Sequence, residues 1–101
     1  MPWRGSAGFN FNQVSVDANA PASSGVYALF NEGKWIYFGE SINIRQRLTQ
    51  HLNNETNERV RRSLPQFFAY ELVAGELQRK ARQNELIREF AYSGLCNERL
   101  G

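Results

Sequence analysis

The sequence predicts a small α+β fold, a three-stranded antiparallel sheet packed against helices. Two short runs of strand formers flank a turn-like Asn31-Glu32-Gly33. A third such run, Phe67 to Val73, lies between two longer stretches whose apolar residues recur at helical spacing. Strand, strand, helix, strand, helix is the order that results.

Residues 1–24 are rich in Asn, Ser, Ala and Pro, with Phe9, Phe11, Val14 and Val16 holding most of their apolar content. They read as an N-terminal arm that either adds a short strand or lies over the core, ahead of a single domain over 25–101. Val26-Tyr27-Ala28-Leu29-Phe30 and Trp35-Ile36-Tyr37-Phe38 are the first two strands. A three-residue loop with Gly33 at positive φ joins them. That loop pairs Phe30 with Lys34 and sets Tyr27 opposite Tyr37, so two phenols would project side by side from one face. A helix follows over Ser41 to Leu52, buried along Ile44, Leu48 and Leu52 and capped by Ser41 or Asn43. Arg47 and His51, four apart, share a face of it at the edge of the apolar stripe. Asn53 to Leu64 is polar and reads as a loop or a short helix, closed by Pro65. After the third strand Gly75 breaks the chain, and a second long helix runs from Glu76 to about Tyr92, ended by Gly94.

Composition sets limits on function. At 101 residues with 42% apolar content, one domain with a modest core is expected. No apolar run approaches the roughly 20 residues of a bilayer span, and the N-terminus lacks the layout of a signal peptide. The single cysteine, Cys96, fits a reducing cytoplasm. A net charge of +2 is too mild to announce a nucleic-acid binder, although ten of the twelve basic residues are arginine, the side chain suited to bidentate phosphate contact.

Gly25-Val26-Tyr27 and Tyr37-Phe38-Gly39 resemble the two tripeptides that name the GIY-YIG nucleases. Downstream spacing strengthens the likeness. Arg47 stands ten positions after the second tyrosine and His51 four further on, as in homing-type members. Glu85, in Asn84-Glu85-Leu86-Ile87, resembles the family's helix glutamate. Asn97 follows it by twelve positions, the spacing of the excision-repair branch. The resemblance covers Gly25 to about Asn97.

It implies metal-dependent hydrolysis of DNA phosphodiester bonds with Mg²⁺ or Mn²⁺. Tyr27 would take the proton from the attacking water, which requires nearby positive charge to lower a phenol that titrates near 10. Tyr37 would hold the water or a phosphate oxygen, and Arg47 would clamp the scissile phosphate. His51 would shuttle a proton or orient Tyr27. Glu85 would be the metal ligand, since Mg²⁺ binds through as few as one carboxylate with water in the remaining positions. Periodicity places Glu85 away from the main apolar stripe, in a second row with Leu77 and Ala81. Asn97 would touch phosphate or anchor the tail, and Arg45, Arg61 and Arg62 would contact DNA. Glu40 departs from the family's usual lysine or serine; it would either add a carboxylate to the metal or repel phosphate. Weak charge on a small surface calls for a homodimer or a specificity-conferring partner protein. The alternative is a non-catalytic nucleic-acid-binding or protein-interaction module, or a subunit active only in a larger assembly.

Overall fold

The computed structural model describes residues 8–90 and Cys96. It has four strands and four helices: β1 (Phe9–Asn10), α1 (Gln13–Asn19), β2 (Gly25–Asn31), β3 (Lys34–Ser41), α2 (Ile44–Asn53), α3 (Glu58–Ser63), β4 (Phe67–Leu72) and α4 (Glu76–Glu89). The sheet is antiparallel throughout, in the order β1-β4-β2-β3. The α+β class holds, and a fourth strand joins the three expected, the short strand that is one of the two readings of the N-terminal arm. That strand is β1, two residues that pair Phe9 with Phe68 and Asn10 with Phe67.

Each face of the sheet covers its own core. On one face Tyr27, Leu29 and Ile36 pack with Val16 of α1, Ile44 and Leu48 of α2 and Val60 of α3. On the other, Val26, Ala28 and Phe38 pack with Leu86 and Ile87 of α4. Helix α1 was not foreseen. Asn12 caps it by accepting from the Ser15 amide at 2.9 Å, and it buries Val16 while leaving Val14 in solvent. The chain over 8–24 is therefore part of the first core.

The hairpin differs from expectation in register. Asn31 pairs with Lys34, so the turn is Glu32-Gly33, with Gly33 at φ +72. Asn31 stays in the strand because its side chain ties β2 to the entry of β4, accepting from the Gln66 amide at 2.7 Å and donating to the Ser63 carbonyl at 3.2 Å. A bulge at Ile36 then shifts the ladder again, so Tyr27 faces Gly39 and Tyr37 faces Leu29. The two shifts add to an even number. Tyr27 and Tyr37 thus remain on one face as diagonal neighbours, with ring centroids 6.3 Å apart.

Other boundaries move by a few residues. β3 continues through Ser41, and α2 starts after Asn43, which caps it by accepting from the Gln46 amide at 3.0 Å. The polar stretch after α2 contains the short helix α3, capped by Asn57. α4 ends at Glu89, because Phe90 leaves helical geometry and packs on Trp35 at 4.9 Å. The expected stop at Gly94 lies outside the described residues. No helix among the described residues is long and apolar enough to cross a membrane.

Candidate active site

Tyr27 sits on the central strand, fully buried beneath α2. Its cross-strand partner is Gly39, and a Cβ there would overlap the phenol ring. The glycine of the second tripeptide thus makes room for the tyrosine of the first. The phenol crosses that gap to reach α2, where its hydroxyl meets His51 Nε2 at 2.7 Å. His51 stands edge-on to both phenols, 5.5 Å from Tyr27 and 5.4 Å from Tyr37 between ring centroids.

On its other side, His51 Nδ1 contacts Glu55 Oε1 at 2.5 Å. The second oxygen of Glu55 accepts from the Asn57 amide at 2.9 Å. Both side chains are about nine-tenths buried, at 10% and 9% exposure. Glu55 is a residue the sequence reading missed. Its spacing of four from His51 was visible, but α2 stops at Asn53, and Glu55 returns to the imidazole from a loop.

Tyr37, Arg47, His51 and Glu55 line an open cleft of about 380 Å³ together with Gln50 and Asn54. Arg47 supplies the positive charge that a depressed phenol would need. Burial nevertheless pushes the Tyr27 hydroxyl well above its ordinary value, helped by Tyr37 and opposed by Arg47. Burial raises Tyr37 as well, again against the pull of Arg47. Desolvation wins at both phenols, and neither is a phenolate near neutral pH. This corrects the expectation that local charge would lower Tyr27.

The remaining candidates divide. Arg45 Nε donates to the Ala20 carbonyl at 2.8 Å, stitching α2 to the end of α1. Arg61 is exposed on α3 and lines a second groove that shares His51 and Glu55 with the cleft. Arg62, also exposed, faces a separate surface near Lys34 and Arg59. Asn97 lies outside the described residues.

Glu40 belongs to neither expected role. Its carboxylate receives Arg79 Nε at 2.8 Å and Lys80 Nζ at 3.4 Å, tying β3 to α4. Burial pushes its pKa up, but these two cations outweigh it and hold the group below its usual range.

Glu85 does not fit a metal ligand at the tyrosines. It is 67% exposed, its carboxylate is bound by Arg82 at 2.8 Å, and it does not line the cleft. Its row-mates Leu77 and Ala81 are also exposed. Gln83 of α4 reaches β3 beside Tyr37, its amide donating to the Phe38 carbonyl at 3.4 Å. Among the described residues no group of three His, Cys, Asp or Glu side chains is placed to hold a metal ion.

A hairpin presenting two tyrosines to an arginine and histidine of the next helix defines the class, and residues 23–92 match the GIY-YIG catalytic domain. The chain belongs to that family. Among solved structures it is similar to the GIY-YIG N-terminal endonuclease domain of UvrC from Thermotoga maritima, bound to its catalytic divalent cation. One such structure is 29% identical, with a TM-score of 0.67, covering 80% of this chain and 89% of that one. A second, bound to magnesium, is 30% identical with a TM-score of 0.62, covering 71% and 82%. A stretch of 39 residues is 46% identical to the UvrABC system protein C of Hydrogenobaculum sp. (strain Y04AAS1), spanning 39% of this chain and 7% of that protein.

Proposed function

We propose that this domain is a DNA endonuclease that hydrolyses phosphodiester bonds. The observation that carries the reading is the contact of the buried Tyr27 hydroxyl with His51, whose imidazole lines a cleft together with Tyr37 and Arg47. In the similar domain the tyrosines replaced one at a time by phenylalanine are ten and then fourteen residues apart. Tyr27, Tyr37 and His51 have the same spacing, which supports a site role for His51 at the position matching that domain's third substituted tyrosine.

Arg47 clamps the scissile phosphate with its planar fork. Tyr37, at the cleft wall, orients the attacking water. Because both phenols keep their protons, Tyr27 and His51 act as a pair. As the water oxygen bonds to phosphorus and the ester oxygen departs, the water's proton passes to Tyr27 while Tyr27's own proton passes to His51 Nε2. No free phenolate is required, and imidazole is the side-chain class that exchanges protons near neutral pH. Arg47 acts directly on the Tyr27 hydroxyl.

Mg²⁺ or Mn²⁺ is the proposed cofactor, supported by the cation in the similar domains. When bound, such an ion neutralises charge developing on the phosphoryl and leaving oxygens. Glu85, as placed, is not assigned to hold it. A reducing cytoplasm is the proposed location, and a second copy or a partner protein would extend the footprint on DNA.

One observation favours the non-catalytic binding module instead: Glu40, Glu71 and Glu85 are each engaged by an arginine. Cleavage of supercoiled plasmid and branched DNA with Mg²⁺ or Mn²⁺ separates the readings. Wild type is expected to cut, and Tyr27→Phe and Arg47→Ala to lose about 100-fold or more while keeping the wild-type circular dichroism spectrum. Glu85→Ala should stay within about fivefold of wild type, the worth of an exposed ion pair. Complete loss in that variant would return the ion to Glu85. No cutting by wild type on either substrate would leave the binding module.

A further inference from the structure

We propose that Glu55 is a positioning residue that fixes His51 in the Nδ1–H tautomer, so that the Nε2 lone pair faces the Tyr27 hydroxyl. The catalytic consequence rests on the nuclease reading above, whereas the tautomer itself does not. An ionised carboxylate only accepts hydrogen bonds. At 2.5 Å from Glu55 Oε1, Nδ1 must therefore carry the hydrogen. The opposite tautomer would press the Nδ1 lone pair against a carboxylate oxygen in a site with little water to screen it.

Glu55 is itself held. Oε2 accepts from the Asn57 amide at 2.9 Å. The Asn57 side chain is committed in turn, accepting from the Arg59 and Val60 amides at 3.0 and 3.2 Å as the cap of α3. A short loop between two capped helices thus presents one carboxylate oxygen to the imidazole. With Nδ1 protonated, the 2.7 Å contact at Nε2 has one sense: the Tyr27 hydroxyl donates and the imidazole accepts. That is the sense the Tyr27–His51 proton transfer needs, since a proton already on Nε2 would block it. A buried acid orienting the base from behind follows the general logic of a catalytic triad.

His51 is the only histidine in the chain, so the ¹⁵N spectrum of the imidazole reports it alone. At a pH where the ring is neutral, wild type is expected to show a protonated Nδ1 and an unprotonated Nε2. Glu55→Ala should switch to the Nε2–H form. Tyr27→Phe, which removes the other partner, should retain Nδ1–H. An Nε2–H imidazole in wild type overturns the proposal even if no variant folds. So does an unchanged tautomer in Glu55→Ala, or a switch in Tyr27→Phe. On supercoiled plasmid, Glu55→Ala should lower kcat by about 10- to 100-fold with KM little changed. If wild type cuts nothing but the tautomers behave as stated, the nuclease reading fails and the role of Glu55 stands.

Discussion

Tyr27 and Gly39 show how one residue's chemistry depends on another's absence of a side chain. The phenol lies over the Gly39 backbone, and any larger residue there would displace it from His51. The same burial that positions Tyr27 makes its ionisation costly. Its folded pKa and that of Tyr37 lie above the reference value of 10.0. Below that value both states keep their protons and the stabilisation is fully present. As pH rises past it, the unfolded chain ionises first, and stability is lost through the folded values. Thermal unfolding followed from about pH 9 to about pH 11 should show the melting temperature falling with pH in wild type, and less steeply in Tyr27→Phe. Equal slopes would mean that Tyr27 ionises as freely in the folded protein as in the unfolded chain.

The elements are joined by polar ties as well as by packing. Helix α4 offers the sheet Leu86, Ile87 and Phe90, all near its C-terminal end. Its first turns are held by charge: Arg79, 8% exposed, bonds Glu40 of β3 and Ser24 Oγ at 2.9 Å, and that hydroxyl donates to the Val73 carbonyl at 2.7 Å. Arg79→Met should cost about 2–4 kcal/mol in urea unfolding, because it leaves Glu40 half buried with only Lys80 for a partner. Glu40→Gln, which keeps an acceptor for Arg79, should cost less. If the two variants are equally stable, apolar packing alone seats the helix. Periodicity places position 79 seven residues before Leu86 on the same face of α4, but an arginine there gives no apolar signal, so the tie to Glu40 was not legible.

For the molecule as a whole, the class, the hairpin, both long helices and the third strand were legible in the sequence, because each combines a regular apolar period with Gly, Pro or Asn at its ends. Helix α1 was not. Seven residues with one buried valine carry too little periodicity, and only the Asn12 cap marks its start. Of the site, Tyr27, Tyr37, Arg47 and His51 were legible through motif spacing, and the structure brings them together. Glu55 was not, since a loop delivers it, and Glu85 entered through the family resemblance although its place off the main apolar stripe already pointed to solvent, where the structure has it. Charge is equally local. Arg61 flanks the cleft, Arg45 is tied to Ala20, and Arg62 points to another surface. A footprint of about two phosphates, one at Arg47 and one at Arg61, gives a slope of roughly −2 in log K against log salt. Fluorescence anisotropy on a short duplex between about 50 and 200 mM salt would measure it. A slope two or three times steeper would mean that a second copy shares the DNA.

The Ile36 bulge has a consequence for how this motif can vary. Side chains alternate along a strand, so a regular ladder running on from the Glu32-Gly33 turn would set Phe38 opposite Tyr27 and send Tyr37 to the face covered by α4. A turn shortened by one residue is compatible with the site only because the strand carries one extra. What the motif must keep is therefore the pairing of Tyr37 with Leu29 rather than a fixed turn, since residues added within the turn leave that pairing in place.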